Sequence, residues 1–141
     1  MFVLESGRAL VEWYPKKAST EFNNGDLVYA DGSGHIQPAD ATSGDHIGII
    51  MKDVKSTDDD YAENTYVPVL IPTDESVFRV DVGTGTLTTA MIGNQYDLKD
   101  ASSIDVTATA KKVVTVVGFV SGSVALVKIN AVITNVDVQT T

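Results

Sequence analysis

The chain has 141 residues, 43% of them hydrophobic, which is the length and composition of one globular domain. The formal charge of −9, from 19 acidic and 10 basic residues, argues against binding nucleic acid or an anionic membrane surface, because both need a positive face. No cysteine is present, which excludes a disulfide frame, a thiolate nucleophile and a cysteine zinc site.

The N-terminal residues 1 to 8, M-F-V-L-E-S-G-R, start with an apolar run that Glu5 interrupts. A secretory signal has a basic segment before a longer apolar one, so we expect no such signal here. No apolar run approaches the roughly 20 residues of a membrane helix. We therefore expect the chain to act where it folds, or to be carried out as part of an assembly.

Residues 8 to 14, R-A-L-V-E-W-Y, predict a first strand that Pro15 ends. Trp13 and Tyr14 are adjacent, so they point to opposite faces, one core and the other exposed. The favoured arrangement is a core tryptophan with a tyrosine at the rim. The alternative is that the pair anchors a partner, because aromatic residues are enriched at interface hot spots.

A turn and a hairpin follow. Asn24-Gly25 predicts a tight turn, residues 27 to 30 a strand, residues 31 to 34 a hairpin loop, and residues 35 to 37 the returning strand. The two glycines of the loop also resemble a phosphate cradle. No helical pattern follows them, so the hairpin is the favoured interpretation.

The next stretch joins a strand to a hydrophilic loop. Residues 47 to 54 predict a strand in which Gly48 marks a bulge or the close approach of another backbone. Residues 55 to 64 predict an exposed loop. The three aspartates Asp58 to Asp60 lack the spacing of an EF-hand, so we expect them to be solvated and not to bind a cation.

The centre of the chain predicts two consecutive strands. Residues 67 to 72, V-P-V-L-I-P, are apolar on successive positions, as in a strand covered on both faces. Pro68 and Pro72 donate no ladder hydrogen bonds, which confines this strand to an edge or the prolines to its ends. Residues 77 to 82 alternate, with the following three side chains expected on the buried face: Phe78, Val80 and Val82.

The last third is the most strongly β in pattern. Residues 87 to 92 are ambiguous, residues 93 to 98 predict a turn into a short strand, and residues 99 to 103 a single helical turn. Residues 104 to 110 alternate like a strand. The apolar runs on either side of Ser121-Gly122 then predict a hairpin.

No window shows a helical period, and turn signals recur about every 8 to 12 residues. We therefore predict an all-β chain, a single small barrel or sandwich of about nine to eleven short, mostly antiparallel strands. The predicted domain spans residues 1 to 141. Within it, residues 1 to 21 form an N-terminal strand or arm, residues 22 to 130 the barrel core, and residues 131 to 141 a C-terminal strand or tail.

Candidate chemistry is sparse. His35 and His46 are the only histidines, no G-x-S-x-G elbow is present, and no H-x-H or H-x3-H spacing suggests a metal site. A pair of carboxylates for glycoside hydrolysis stays open, because only the fold brings such a pair together. We expect no enzyme, no catalytic residue, no metal and no cofactor.

The order of several short phrases is similar to the capsid decoration, or cement, proteins of tailed bacteriophages. These phrases are N-G-D-L-V-Y, G-H-I-Q-P-A, H-I-G-I-I, V-P-V-L-I-P and G-F-V-S-G-S-V-A-L-V-K-I-N. The resemblance covers about residues 22 to 130 and is to the small β-barrel type, in which N-G-D opens a strand and I-G-I closes the first β unit.

The resemblance implies a virion protein on the capsid exterior, made in the host cytoplasm, that bridges capsomers and often forms a trimer. Its expected partner is the major capsid protein in the assembled shell, with no nucleic acid or membrane. The candidate docking residues are apolar or aromatic and near the N-terminus: Met1, Phe2, Val3, Leu4, Trp13 and Tyr14. The alternatives are another structural β module, such as a phage tail or fibre-base domain, and, less favoured, a small-ligand barrel.

Overall fold

The computed structural model describes residues 1 to 130, and these form eleven strands and one 3-10 helix, Thr89–Met91. The predicted all-β fold class is confirmed. The predicted C-terminal strand or tail, residues 131 to 141, lies outside the described residues. The strands are β1 (Val3–Ser6), β2 (Ala9–Pro15), β3 (Leu27–Ala30), β4 (Ile36–Pro38), β5 (His46–Ile50), β6 (Tyr66–Pro72), β7 (Val77–Thr84), β8 (Gln95–Asp100), β9 (Ser103–Asp105), β10 (Val114–Ser121) and β11 (Val124–Ile129).

Five strands close into a barrel, in the order β7, β11, β10, β8, β9 and back to β7. Every neighbouring pair is antiparallel except β7 with β9, which is parallel. The N-terminal strand β1 pairs with the first part of β7, on the same edge that β9 uses farther along. The predicted N-terminal strand or arm is therefore partly a strand of this barrel sheet.

The other five strands form a second sheet in the order β2, β6, β5, β3, β4. All its neighbours are antiparallel. The sheet curls until its two outer strands approach each other just past β2, where the Lys17 N–H donates to the carbonyl oxygen of Ile36 at 3.0 Å. The remainder of the outer edge of β2 has no paired strand among residues 1 to 130.

Two hydrophobic cores hold the sheets. The first fills the barrel and continues onto one face of the second sheet through Leu27 and Ile49. The second lies on the other face of that sheet, under the loops that carry Phe22 and Val54. Burial of these side chains is the main stabilising contribution, at about 25 cal/mol for each Å² of apolar surface.

Strand β6 separates the two cores at Leu70, and the predicted covering of both its faces is confirmed there. Leu70 packs against the first core. The side chains that face the second core are Val67, Val69 and Ile71. Of the two predicted alternatives, the edge position is not found, because β6 lies between β2 and β5. Pro68 and Pro72 instead lie on either side of the short ladder in which β5 pairs with Val69 and Leu70.

Strand β7 alternates as predicted. Phe78 and Val80 are buried, with 0% and 1% exposure, and Val82 is half-buried. Arg79 and Asp81 are exposed on the opposite face. The period of two therefore identified the buried face of this barrel strand correctly.

The predicted helical turn over residues 99 to 103 is wrong. Strand β8 continues through Asp100, and β9 begins at Ser103. The Asp100 carboxylate accepts hydrogen bonds from the Ser102 N–H at 2.9 Å and the Ser103 hydroxyl at 2.8 Å. This side-chain bonding closes a tight turn in place of a helical one. The strand predicted over residues 104 to 110 likewise ends early, at Asp105.

Both glycine predictions are confirmed. Gly25 has a φ of +94°, a conformation that favours glycine in the turn after Asn24. Gly48 lies directly beneath the carbonyl group of Leu70, where any added Cβ atom would collide with that backbone. The close approach of β5 to β6 therefore requires glycine at this position.

Candidate functional site

The two adjacent aromatic residues of β2 have opposite environments. Trp13 is 60% exposed, whereas Tyr14 packs against the second core. The favoured expectation of a core tryptophan with a rim tyrosine is therefore wrong. Trp13 lies opposite Pro68, on the face of the sheet that turns toward the barrel. The first core covers this face as far as Leu70, and Trp13 lies beyond that point.

Exposed apolar side chains surround Trp13. Val11 and Tyr66 share its face, with exposures of 49% and 61%. Met51 donates its N–H to the carbonyl oxygen of Pro68 at 3.0 Å and is 45% exposed, which extends the group across the next strand. We call these four exposed residues, Val11, Trp13, Met51 and Tyr66, the apolar strip.

Met1 lies against the turn at Gly25, and its ammonium group forms an ion pair with Asp81 at 3.1 Å. The Met1 side chain covers Gly25, whose N–H donates to the carbonyl oxygen of Ile50. Met1 is 45% exposed. Of the predicted docking residues, Met1 and Trp13 are thus both exposed, and Trp13 lies within the apolar strip.

The rest of the predicted N-terminal docking set is built into the fold. Phe2 is 2% exposed and meets Phe78 edge-on, with ring centroids 6.4 Å apart. Leu4 packs against the first core, and Val3 is 43% exposed on the outer face of β1. Phe2 and Leu4 are therefore covered by the fold, whereas Met1 and Val3 stay exposed.

The apolar strip contains no charged residue, although the whole chain carries a formal charge of −9. Glu12 lies between Val11 and Trp13 in the sequence, but the strand alternation turns it to the other face. A partner that covers the strip therefore removes no charged side chain of this face from water. This is favourable, because burying an unpaired charge is expensive.

The acidic loop is organised by a lysine that sequence reasoning did not single out. Lys16 is 1% exposed, and its ammonium group donates to the backbone carbonyl oxygens of Asp60 at 2.9 Å, Tyr61 at 3.2 Å and Glu63 at 2.6 Å. No group of three or more metal-ligating side chains exists among residues 1 to 130. The cation bound by this loop is the lysine itself.

In the glycine-rich hairpin loop, a carboxylate of the loop accepts hydrogen bonds from the backbone N–H groups that a phosphate would need. Asp31 accepts hydrogen bonds from the N–H of Ser33 at 2.8 Å and of His35 at 3.3 Å. These hydrogen bonds, together with that of the Gln37 amide, lower the pKa of Asp31 against the opposing effect of its desolvation. The loop closes the hairpin of β3 and β4, as predicted, and presents a negative group where a phosphate would need positive ones.

One serine and one histidine form a close pair. The Ser43 hydroxyl lies 3.1 Å from Nε2 of His46, and burial lowers the pKa of that histidine. The same hydroxyl also lies 3.1 Å from both the N–H and the carbonyl oxygen of Asp40, so it closes the turn before β5. This network accounts for the pair as a structural element of the turn.

A buried carboxylate fixes the loop before β10. Asp97 is 6% exposed and accepts hydrogen bonds from the backbone N–H groups of Ala110, Lys111 and Lys112, at 3.2, 2.7 and 2.9 Å. An open depression of about 510 Å³ lies beside this loop, lined in part by Tyr96. It is a shallow surface and not a deep apolar pocket of the kind that binds small ligands.

The described part of the chain contains no helix long and apolar enough to span a membrane. No family model matches the sequence. A search of the curated proteins finds no match either.

Proposed function

We propose that this chain is a structural protein of a bacteriophage virion, which decorates the exterior of the capsid and bridges neighbouring capsomers. The observation that carries the proposal is the apolar strip, an uncharged exposed surface of a rigid all-β chain. Contiguous exposed apolar surface is a mark of protein interaction sites. Its central residue, Trp13, is of the type that dominates interface energies.

The phrases that resemble decoration proteins fall on consecutive structural units, which supports the proposal. N-G-D opens β3, and I-G-I lies in β5, the last strand of an antiparallel three-strand unit. V-P-V-L-I-P is β6, and the longest phrase is the hairpin of β10 and β11. The resemblance therefore follows the strand layout and does not rest on loop composition.

The experiment is a pelleting assay with undecorated shells of the phage that encodes the chain. A decoration site is composite, made where capsomers meet, so the intact chain should pellet with assembled shells and not bind isolated capsid subunits. Trp13→Ala should lose at least tenfold in affinity, because a central interface tryptophan contributes about 2 kcal/mol or more. The matched control is Phe119→Ala, an aromatic residue that is 41% exposed on β10, away from the strip.

Each outcome decides the proposal. Loss of binding by the Trp13 variant with retention by the Phe119 variant supports decoration through the apolar strip. Equal binding by both variants would remove the strip from the docking surface. Failure of the intact chain to bind any assembled shell, combined with its detection in purified tails, would replace decoration by the alternative of a tail or fibre-base module.

A further inference from the structure

The outer edge of β2 is an open sheet edge with backbone groups available for pairing. Lys16, one residue past the strand, donates its N–H to the carbonyl oxygen of Thr65 on the β6 side at 3.0 Å. Successive residues of an antiparallel strand turn their N–H and C=O groups to opposite sides. The even-numbered residues of β2 therefore face β6, and Ala9, Val11 and Trp13 face outward.

Apart from Glu12, this edge lacks the features that usually prevent strand addition. Natural edges are protected by bulges, lysines, prolines or short length. The register of β2 on β6 runs from Ala9 to Pro15 without a bulge, and its only proline is the last residue. The other outer strand of this sheet, β4, has two of these protective features, since it has only three residues and ends in Pro38.

We propose that a second copy of this chain binds along this edge, with the two β2 strands antiparallel about a two-fold axis at Val11. An axis at this residue pairs every outward N–H group, because Val11 lies opposite Val11 and Ala9 lies opposite Trp13. The contact is isologous, the commonest type in soluble oligomers. This pairing goes beyond the proposed function and does not depend on it.

The side chains of β2 are complementary to themselves in this register. Leu10 lies opposite Glu12 of the other copy, and the long side chain of Arg8 lies diagonal to that carboxylate, about 7 to 8 Å away at the backbone and within its reach. Arg8, one residue before β2, and Glu12 are both exposed, and their opposite charges leave this edge locally neutral in a chain with a formal charge of −9.

The neighbouring registers are less favourable. An axis at Glu12 would place two carboxylates directly opposite each other, which is destabilising in a sheet. An axis at Leu10 would place Trp13 opposite Gly7, whose φ of +85° is not that of an extended strand. The axis at Val11 avoids both faults and also brings the apolar strips of the two copies side by side.

The test is the molar mass of the full chain in solution, measured by sedimentation equilibrium. We expect twice the mass of one chain at micromolar concentration and dissociation on dilution. Val11→Lys, which places two ammonium groups opposite each other at the axis, should abolish the dimer. Val117→Lys, at a residue that is 38% exposed on β10, should leave it intact, and circular dichroism checks that both variants fold.

A cross-link tests the register even if the lysine variant is unstable. The chain has no cysteine, so Val11→Cys carries a single thiol that forms only intermolecular disulfides. Directly opposed strand residues have the separation that a disulfide needs. Mild oxidation should therefore trap a covalent dimer, whereas Val117→Cys should form the dimer without a disulfide cross-link. A monomer or trimer of the intact chain, a dimer that survives Val11→Lys, or equal cross-linking of the two cysteine variants would overturn the proposal.

Discussion

The ammonium group of Lys16 donates a hydrogen bond to the carbonyl oxygen of Glu63 at a distance of 2.6 Å, at the end of a side chain that is only 1% exposed. The loop over residues 55 to 64 therefore has an exposed acidic side and a buried basic anchor. Its backbone carbonyl groups converge on the lysine, as they would on a bound cation. This side chain therefore joins three backbone groups of the loop to the end of β2.

We expect Lys16→Met to lower the free energy of unfolding by at least about 2 kcal/mol, because each buried carbonyl left without a donor costs roughly 1 to 3 kcal/mol. Lys17→Met is the matched control, since that side chain is exposed and should change stability by less than about 0.5 kcal/mol. Urea denaturation of both variants measures the difference. Equal stabilities would show that the carbonyl groups exchange the lysine for water without cost.

Two neighbouring positions of β7 should respond differently to substitution, because one side chain is buried and the other is exposed. Val80→Asp places a carboxylate at a site that is 1% exposed, with a cost of more than about 4 kcal/mol and loss of the cooperative fold. Arg79→Ala changes an exposed side chain on the other face and should cost less than about 1 kcal/mol. Thermal unfolding distinguishes the two. Similar damage from both variants would mean that both faces of β7 are covered.

The fold class was predictable because the signals that determine it are local. Alternation in residues 77 to 82, the apolar run of residues 67 to 72 and the turn at Asn24-Gly25 each fix a backbone conformation without reference to distant residues. The predicted positions of β3, β6 and β7 agree with the structure to within two residues.

The candidate site was predictable only in part, because exposure depends on partners distant in the sequence. Trp13 is exposed because the barrel ends short of it, and Phe2 is buried because β1 reaches Phe78 on β7. Neither contact leaves a mark in the neighbouring sequence. Lys16 gave no signal either, because a lysine beside a proline and a second lysine has the appearance of an exposed loop residue.

Stability should fall as the pH is lowered from about 7 to 5, and His46 is the residue responsible. Burial lowers the pKa of His46 below its ordinary value of 6.5, although Asp45 and Asp40 act in the opposite direction, so the folded chain protonates the ring at a lower pH than the unfolded chain does. The unfolded chain takes up this proton as the pH falls through about 6.5. The unfolded state then binds more protons than the folded state, which lowers the free energy of unfolding.

His46→Gln should flatten this pH dependence, because glutamine does not titrate. The measurement is the difference in the free energy of unfolding between pH 7 and pH 5 for each protein. Asp26, whose pKa is raised by its burial, adds a slope of the opposite sign above pH 3.8, but it does so in both proteins. Identical slopes for the two proteins would show that another group titrates in this range.

The N-terminal segment should affect stability through one residue and not through its neighbour. Phe2→Ala removes a ring that is 2% exposed and packed against Phe78, and we expect a loss of about 3 to 5 kcal/mol. Val3→Ala, at a residue that is 43% exposed, should cost less than about 1 kcal/mol. Chemical denaturation of the two variants gives both values.

This contrast also determines how docking must be tested. Deleting residues 1 to 6 would remove Phe2 and the whole of β1 from the fold, so a truncated chain that failed to bind shells would report lost stability and not a lost contact. Substitution of the exposed residue Trp13 leaves the core intact and isolates the surface. If Phe2→Ala proved as mild as Val3→Ala, β1 would be dispensable to the barrel, and truncation would again be a valid test of docking.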